Sequence, residues 1–372
     1  MPVLPGAIRK IAAIREYARR VSRVLCAAAV WPSIAYLATL LPVAQAADAP
    51  LFASDDVLAI TIEGPLDTLI RERSIDEYYD GAVRVVGSAG EIQELDLKFR
   101  ARGNYRRRKT TCRFPPVRLN FKRRQVEGTV FEGQNILKLV THCRPRSGRL
   151  EEQVLREQLA YRILSLHTDL AFRTRLLRVT WINTERDGAT EERYGFVIEH
   201  HDALQERLAM TRSELNRTTY DALEQPQASI AALFQYMIGN TDFSMISAAN
   251  GEACCHNGLL LESPAASFHY VPYDFDMSGI VSAPYATANP RFNLRSVKQR
   301  LYRGHCQFNA SLDDAAALFL ERRDSVMALV SEQPGLDNGA RRDLDRYLGQ
   351  FYDQLSRDDG MERLRRSCRG DN

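Results

Sequence analysis

Two short runs carry the residue types that phosphoryl-transfer chemistry uses. In Ile238-Gly239-Asn240-Thr241-Asp242 a single carboxylate follows the apolar stretch 230–238. In Tyr273-Asp274-Phe275-Asp276-Met277-Ser278-Gly279 two carboxylates follow the apolar run 268–272, and a glycine closes the turn. Carboxylates in tight, partly buried turns are costly unless a cation or hydrogen-bond donors meet them. Mg²⁺-dependent phosphoryl transfer uses two such turns. One serves the acceptor hydroxyl, and the other holds metal on the phosphates.

The same chemistry needs a cation on the nucleotide phosphates and an acid that orients it. Lys138 sits in Ile136-Leu137-Lys138-Leu139-Val140, the last strand-like run before a long helical pattern. Glu157 lies inside that helical pattern, and a strand lysine facing a helix glutamate is the expected ion pair. The plain alternatives are an exposed strand lysine and a solvated helix glutamate. Glu199-His200-His201-Asp202 opens the next segment, where a hinge contacting an adenine would lie. A polar linker is the other reading of that segment.

These residues need elements to hold them. From 56 to 140 the chain alternates apolar and polar residues in short, glycine-punctuated runs (57–62, 82–86, 92–99, 117–121, 136–140), the period of β-strands. Residues 150–166 read as an amphipathic helix, with Val154, Leu155, Leu159, Ile163 and Leu166 on one face. Strands return at 176–183 and 194–198 around a polar turn. Beyond 199 helices dominate (229–238, 312–331, 339–355), with a short hairpin at 259–261 and 268–271 between the acidic turns. The plan reads as α+β. It comprises a leader over 1–46, a β-rich lobe over 47–199, a helical lobe over 200–356 and a frayed charged tail over 357–372, with a cleft between the lobes.

The order of Arg102-Gly103-Asn104, the Lys138/Glu157 pairing, Phe196-Val197-Ile198-Glu199, the Asp242 run and Tyr273-Asp274-Phe275-Asp276 resembles the spore-coat protein H (CotH) kinase family. The second half also resembles the HipA type of atypical kinase. The likeness spans roughly 96–279. It implies a two-lobed atypical protein-kinase-like fold that binds ATP with Mg²⁺ or Mn²⁺. It implies Asp242 as the acid that orients an acceptor hydroxyl, Asp274 as a metal ligand and Asp276 beside it. The chain departs from the family pattern where an Asn is expected soon after Asp242, because the fifth residue on is Ser247. The loop instead runs on to His256-Asn257, and Asn257 is the candidate second metal ligand. No Gly-x-Gly-x-x-Gly loop occurs; Arg102, Gly103 and Asn104 either cover the phosphates or form a structural β-turn. Alternatively, Asp242 caps a helix. Asp274 and Asp276 equally suit structural Ca²⁺ or turn amides.

The chain has 372 residues, 45% of them hydrophobic and 26% charged, an ordinary globular balance. Six basic residues (Arg9 to Arg23) precede an apolar stretch from 24 to 43, and Ala44-Gln45-Ala46 then gives a small-x-small cleavage pattern. This reads as a secretory leader, with a retained signal anchor as the alternative. Pro32 and Pro42 suit a spanning helix poorly. The leader's six Lys/Arg against Glu16 contribute +5 of the total +3, which leaves −2 for the mature chain. The overall charge is therefore no argument for nucleic-acid binding, and basic runs such as 106–109 and 122–124, which lack regularly interleaved aromatics, read as solvated surface rather than a nucleic-acid site. Six cysteines remain after the leader, and their even number in an exported chain suggests disulfides. Cys112 with Cys143 is the pairing favoured, since both lie in the β-rich part.

The expectation is therefore an exported phosphotransferase, periplasmic, cell-surface or secreted, with no stable membrane span once the leader is cleaved. It would move the ATP γ-phosphoryl group to a hydroxyl acceptor such as a protein Ser or Thr. ATP is scarce outside the cytoplasm, so an inactive pseudokinase-like binding protein is the second class. A Ca²⁺-stabilised envelope protein is the third.

Overall fold

The structure, a computed structural model, describes residues 49–370 except positions 88, 146, 249 and 250. The leader expected over 1–46 lies outside the described residues. The described residues belong to one compact unit.

Seven strands build a closed barrel: β1 (Leu58–Gly64), β2 (Tyr79–Val86), β3 (Ile92–Ala101), β4 (Val117–Phe121), β5 (Ile136–Val140), β6 (Thr174–Asn183) and β7 (Ala189–Ile198). Their order around the barrel is β1-β2-β3-β4-β5-β7-β6. Every neighbour pair is antiparallel except β1 with β6, which run parallel from Leu58 opposite Leu177 to Gly64 opposite Asn183. The alternation of apolar residues sets which side chains turn inward. On β3, Leu95, Leu97, Phe99 and Ala101 are buried while the residues between them are not. They meet Val83, Leu119, Leu137 and Val179 in the barrel core. Closure removes both sheet edges, which would otherwise stay open to other chains.

The closure overturns the two-lobed kinase-like architecture expected from the motif order. The fold is centred on a closed mixed barrel, with nine α-helices among the described residues, including α1 (Leu66–Glu72), α2 (Arg123–Val126), α4 (His201–Leu208) and α9 (Gly360–Arg366). The physical cause is β6, which bonds β7 along one side and the whole of β1 along the other. Side-chain alternation is the same in an open meander and in a barrel, so the pattern alone does not distinguish them.

The helix α3 (Gly148–Ser165) lies against β6 and β7 on one side and α7 (Arg323–Glu332) on another. It is buried nearly all round, beyond the one-sided stripe expected. Its buried polar residues are matched: Gln158 accepts from Gln333 at 2.9 Å, and Arg156 donates to Glu152 at 2.7 Å and to the carbonyl of Ile280 at 3.1 Å. The second core gathers around α5 (Gln225–Met237), α6 (Leu312–Glu321) and α8 (Asn338–Leu355), with Phe234, Phe275, Phe319 and Phe351 fully buried. A phenylalanine of this kind contributes about 1.5–3 kcal/mol by leaving water. One helix expected over 312–331 is two, since the chain turns at Arg322 between α6 and α7. A three-stranded sheet of β8 (Thr211–Arg212), β9 (Gly258–Glu262) and β10 (Phe268–Pro272) carries the second acidic turn at its end. The tail is not frayed over its described length. A helix over Gly360–Arg366 buries Leu364, and Cys368 is bonded to Cys306.

Candidate active site

The two acidic turns are joined through their backbones. The amide of Gly279 donates to the carbonyl of Gly239 at 3.1 Å, and Ile280 to Ile238 at 3.0 Å. Glycine is required for this approach. Gly239 has φ 65°, and a Cβ there would stand 2.1 Å from the Tyr347 hydroxyl. A Cβ at Gly279 would meet the same hydroxyl at 2.3 Å.

The clasp opens onto a cleft of about 380 Å³ beside the barrel. Lys138 reaches it because β5 alternates: Leu137 and Leu139 are buried in the barrel, so Lys138 faces outward. Arg102, Gly103 and Asn104 line it from the turn after β3, Asp242, Asn257, Asp274 and Asp276 from the acidic turns and the loop between them, and Glu157 from the helix over Gly148–Ser165. The structure thus brings together Arg102, Gly103, Asn104, Lys138, Glu157, Asp242, Asn257, Asp274 and Asp276.

Glu199 is not among them. Its carboxylate accepts from Arg207 at 3.0 and 2.9 Å and from the Arg173 amide at 3.2 Å, at 3% exposure. It braces the start of the helix over His201–Leu208, and its neighbour Ile198 lines the cleft instead.

The ion pair also differs from expectation. Glu157 accepts from Arg106 at 2.8 Å, with both side chains buried. Arg106 was read as part of a solvated basic run. It turns inward because Glu157, Asp274 and Asp276 crowd its end of the cleft. Burial works against its charge, yet Tyr285, Glu157, Asp276 and Asp274 together hold its pKa above the usual value. Lys138 is left without a carboxylate partner among the described residues; its ammonium stands 5.5 Å from the Tyr273 ring centroid. Burial brings its pKa down to about 8, helped by Arg102 and opposed by Asp274.

Asp274 takes a left-handed backbone, φ 62°, with its amide donating to the Tyr161 hydroxyl at 2.9 Å. Its carboxylate is exposed toward the cleft. Asp276 is buried, and Tyr285 donates to it at 3.1 Å. Burial pushes the Asp276 carboxyl well above its usual range, and the charges of Asp274 and Glu157 push the same way. Burial likewise raises Glu157, with Asp274 adding to it and Arg106 opposing. The charges of Asp274, Asp276 and Glu157 disfavour one another, and a divalent cation on Asp274 and Asp276 would relieve that repulsion. The one group of His, Cys, Asp or Glu side chains already at shared-ligand spacing among the described residues is His200, His201 and Asp202, away from this cleft's lining.

Asp242 is held by the lengthened loop. His256 Nε2 lies 2.9 Å from one carboxylate oxygen, and the Asn257 amide donates to the other at 3.0 Å and to the Asp242 carbonyl at 2.6 Å. The bond to His256 keeps Asp242 below its usual range, burial opposes it, and Asn257 and Arg303 support it. The same bond raises His256. Asn257 thus reaches back across the loop, although its nitrogen is spent on Asp242. Its amide oxygen is the atom with ligand chemistry. Asp242 does not cap a helix; its own amide donates to Asn240 at 2.9 Å.

Sequence reasoning missed Arg106, Tyr285, Tyr161 and His256. Only His256 had a local signal, its place beside Asn257 at the end of the loop. Among the described residues there are three disulfides: Cys112–Cys143, as favoured from the sequence, with Cys254–Cys255 and Cys306–Cys368. They are consistent with an exported protein. Among the described residues no helix is long and apolar enough to cross a membrane. No family model matches the chain, and no curated protein matches it.

Proposed function

We propose that the chain is an exported phosphotransferase that moves the γ-phosphoryl group of ATP to a hydroxyl acceptor, with Mg²⁺ or Mn²⁺. The carrying observation is the convergence of Lys138, Asp242, Asn257, Asp274 and Asp276 on one cleft. The reading rests on that cleft and on the order of motifs shared with CotH-type kinases, not on the architecture. Arg102 and Lys138 would take the phosphates as paired cations. Asp274 and Asp276, with Asn257 beside them, would hold the metal, which supplies charge neutralisation on the phosphate oxygens.

Asp242 works at the acceptor. Held ionised by His256 and Asn257, it accepts the hydrogen bond of the incoming hydroxyl and so aims its oxygen at the γ-phosphorus. The new bond joins that oxygen to phosphorus, and the bond from phosphorus to the β,γ-bridging oxygen breaks. ADP departs with the electron pair, and the hydroxyl proton passes to Asp242.

The test uses γ-labelled ATP and Mn²⁺ with the native chain, Asp242→Asn and Asp274→Ala. Label should transfer to a hydroxyl acceptor with the native chain alone, while Asp242→Asn still shows a nucleotide-dependent rise in melting temperature. Transfer that survives Asp274→Ala refutes the assigned metal ligand.

A second reading, a protein that binds nucleotide without turning it over, is favoured by Ser247 standing five residues after Asp242, where an asparagine ligand is expected. A melting rise with ATP and no label transferred to any hydroxyl acceptor would select it.

A further inference from the structure

Asp242 and His256 do not face the nucleotide cleft alone. They also line a second, larger groove of about 980 Å³ on their far side. Arg217, Arg291, Arg303 and Arg369 border that groove. Among the described residues none of the four has a carboxylate partner, although ion pairs are common elsewhere on this chain. Asp221 is the other carboxylate in the groove, and Gln307 already donates to it.

Arg303 is built into place. It donates to the carbonyls of Thr241 and Phe243 at 2.8 and 2.7 Å, which pins it to the Asp242 turn. Its guanidinium lies 4.5 Å from the Phe243 ring centroid and 4.7 Å from that of Phe292. Its Nε–H is buried and meets no acceptor among the described residues. Arg369 is fixed from the other side, since the Cys306–Cys368 bond and the Arg369 to Gly304 backbone bond tie the tail to this rim. Arg217 and Arg291 are exposed at the mouth.

We propose that this groove binds the acceptor, and that the acceptor is an acidic peptide segment whose hydroxyl-bearing residue is flanked by Asp or Glu. Guanidinium groups pair with carboxylates through charge-assisted, fork-shaped hydrogen bonds. A chain of alternating carboxylates would satisfy the groove while laying its hydroxyl on Asp242. Phe243 and Phe292 each give a ring face to Arg303 and Tyr220 stacks on His305, so the guanidinium groups carry the recognition in this groove. The fate of the hydroxyl rests on the phosphotransferase reading; the binding does not.

The test is fluorescence anisotropy in the absence of nucleotide. The probe is a labelled peptide with a central serine flanked by aspartates and glutamates. The controls are the same peptide with lysines and a polygalacturonate competitor. The acidic peptide should bind, more weakly as salt rises, and the lysine peptide should not. An Arg217→Glu/Arg291→Glu variant, altered at exposed positions and checked by an unchanged melting temperature, should bind the acidic peptide about tenfold more weakly or worse. Asp274→Ala should bind it as the native chain does. Equal binding by the double variant, equal binding of the lysine peptide, or binding of polygalacturonate in place of the peptide would each overturn the proposal. Loss of ATP binding with peptide binding intact would fail the phosphotransferase reading alone. Label transfer to other hydroxyls with no acidic peptide bound would fail this one alone.

Discussion

Replacing Arg106 with Met should cost the fold far more than replacing Lys138 with Met, although the sequence assigned the ion pair to Lys138. The Arg106–Glu157 pair is 2.8 Å long, with side chains 10% and 3% exposed. Removing one partner of such a pair leaves the other charge buried and typically costs about 3–5 kcal/mol. For a chain of this size that lowers the melting temperature by roughly 5–15 °C. Removing both, as in Arg106→Met with Glu157→Leu, should recover most of the loss, because no charge is stranded. Lys138 behaves in the opposite sense. Its fall from 10.5 to about 8 means that the fold disfavours its charge. At about 1.36 kcal/mol per pKa unit, screened by solvent at the cleft mouth, removing it should gain about 1–3 kcal/mol or leave stability unchanged. Thermal melts of the native chain, both single variants and the double variant at pH 7 measure this directly. If Lys138→Met melts as low as Arg106→Met, Glu157 is paired with Lys138 in solution and the electrostatic account of the cleft is wrong.

The depressed Lys138 pKa also gives a pH signature. Between pH 8 and 10.5 the unfolded chain binds more protons at this position than the folded one. Stability of the native chain should therefore rise across that window relative to Lys138→Met, while ATP affinity falls as the ammonium is lost; parallel pH series of melts and nucleotide titrations read both. Asp276→Asn should melt no lower than the native chain without metal, since burial, Asp274 and Glu157 all disfavour its charge. The same variant should lose the Mn²⁺-dependent stabilisation, about 2.7 kcal/mol at roughly 100 times Kd. Converting Cys112 and Cys143 to Ser opens a bridge with a sequence separation of 31. Denaturant unfolding should then show a loss of about 3–4 kcal/mol on the chain-entropy account.

The strands, the helix over α3, the hairpin between the acidic turns and the Cys112–Cys143 pairing were legible because each leaves a local mark. Alternation shows in five or six residues, and a helical stripe in two turns. The disulfide followed from the two cysteines sharing the β-rich part. The candidate site was legible as a set of residues, since Lys138, Asp242, Asn257, Asp274 and Asp276 all line one cleft. Their pairings were not. Arg106 sits in a run of four basic residues, and nothing in that run distinguishes the one that is buried from those that are solvated. Glu199 follows a strand as a hinge residue would, yet Arg207 takes its carboxylate.

What the chain determined by itself is periodicity, chemical type and order: which segments are strands, which turns are acidic and where the cysteines fall. Tertiary structure alone decided that β1 meets β6 and closes a barrel, that Glu157 meets Arg106, and that Asp242 lines both the cleft beside the barrel and an arginine-lined groove. The reason is range. Side-chain period is fixed by neighbours in sequence, whereas strand closure and ion pairing are chosen among partners far apart in the chain. Burial then sets the strength of each charge only after those partners have met.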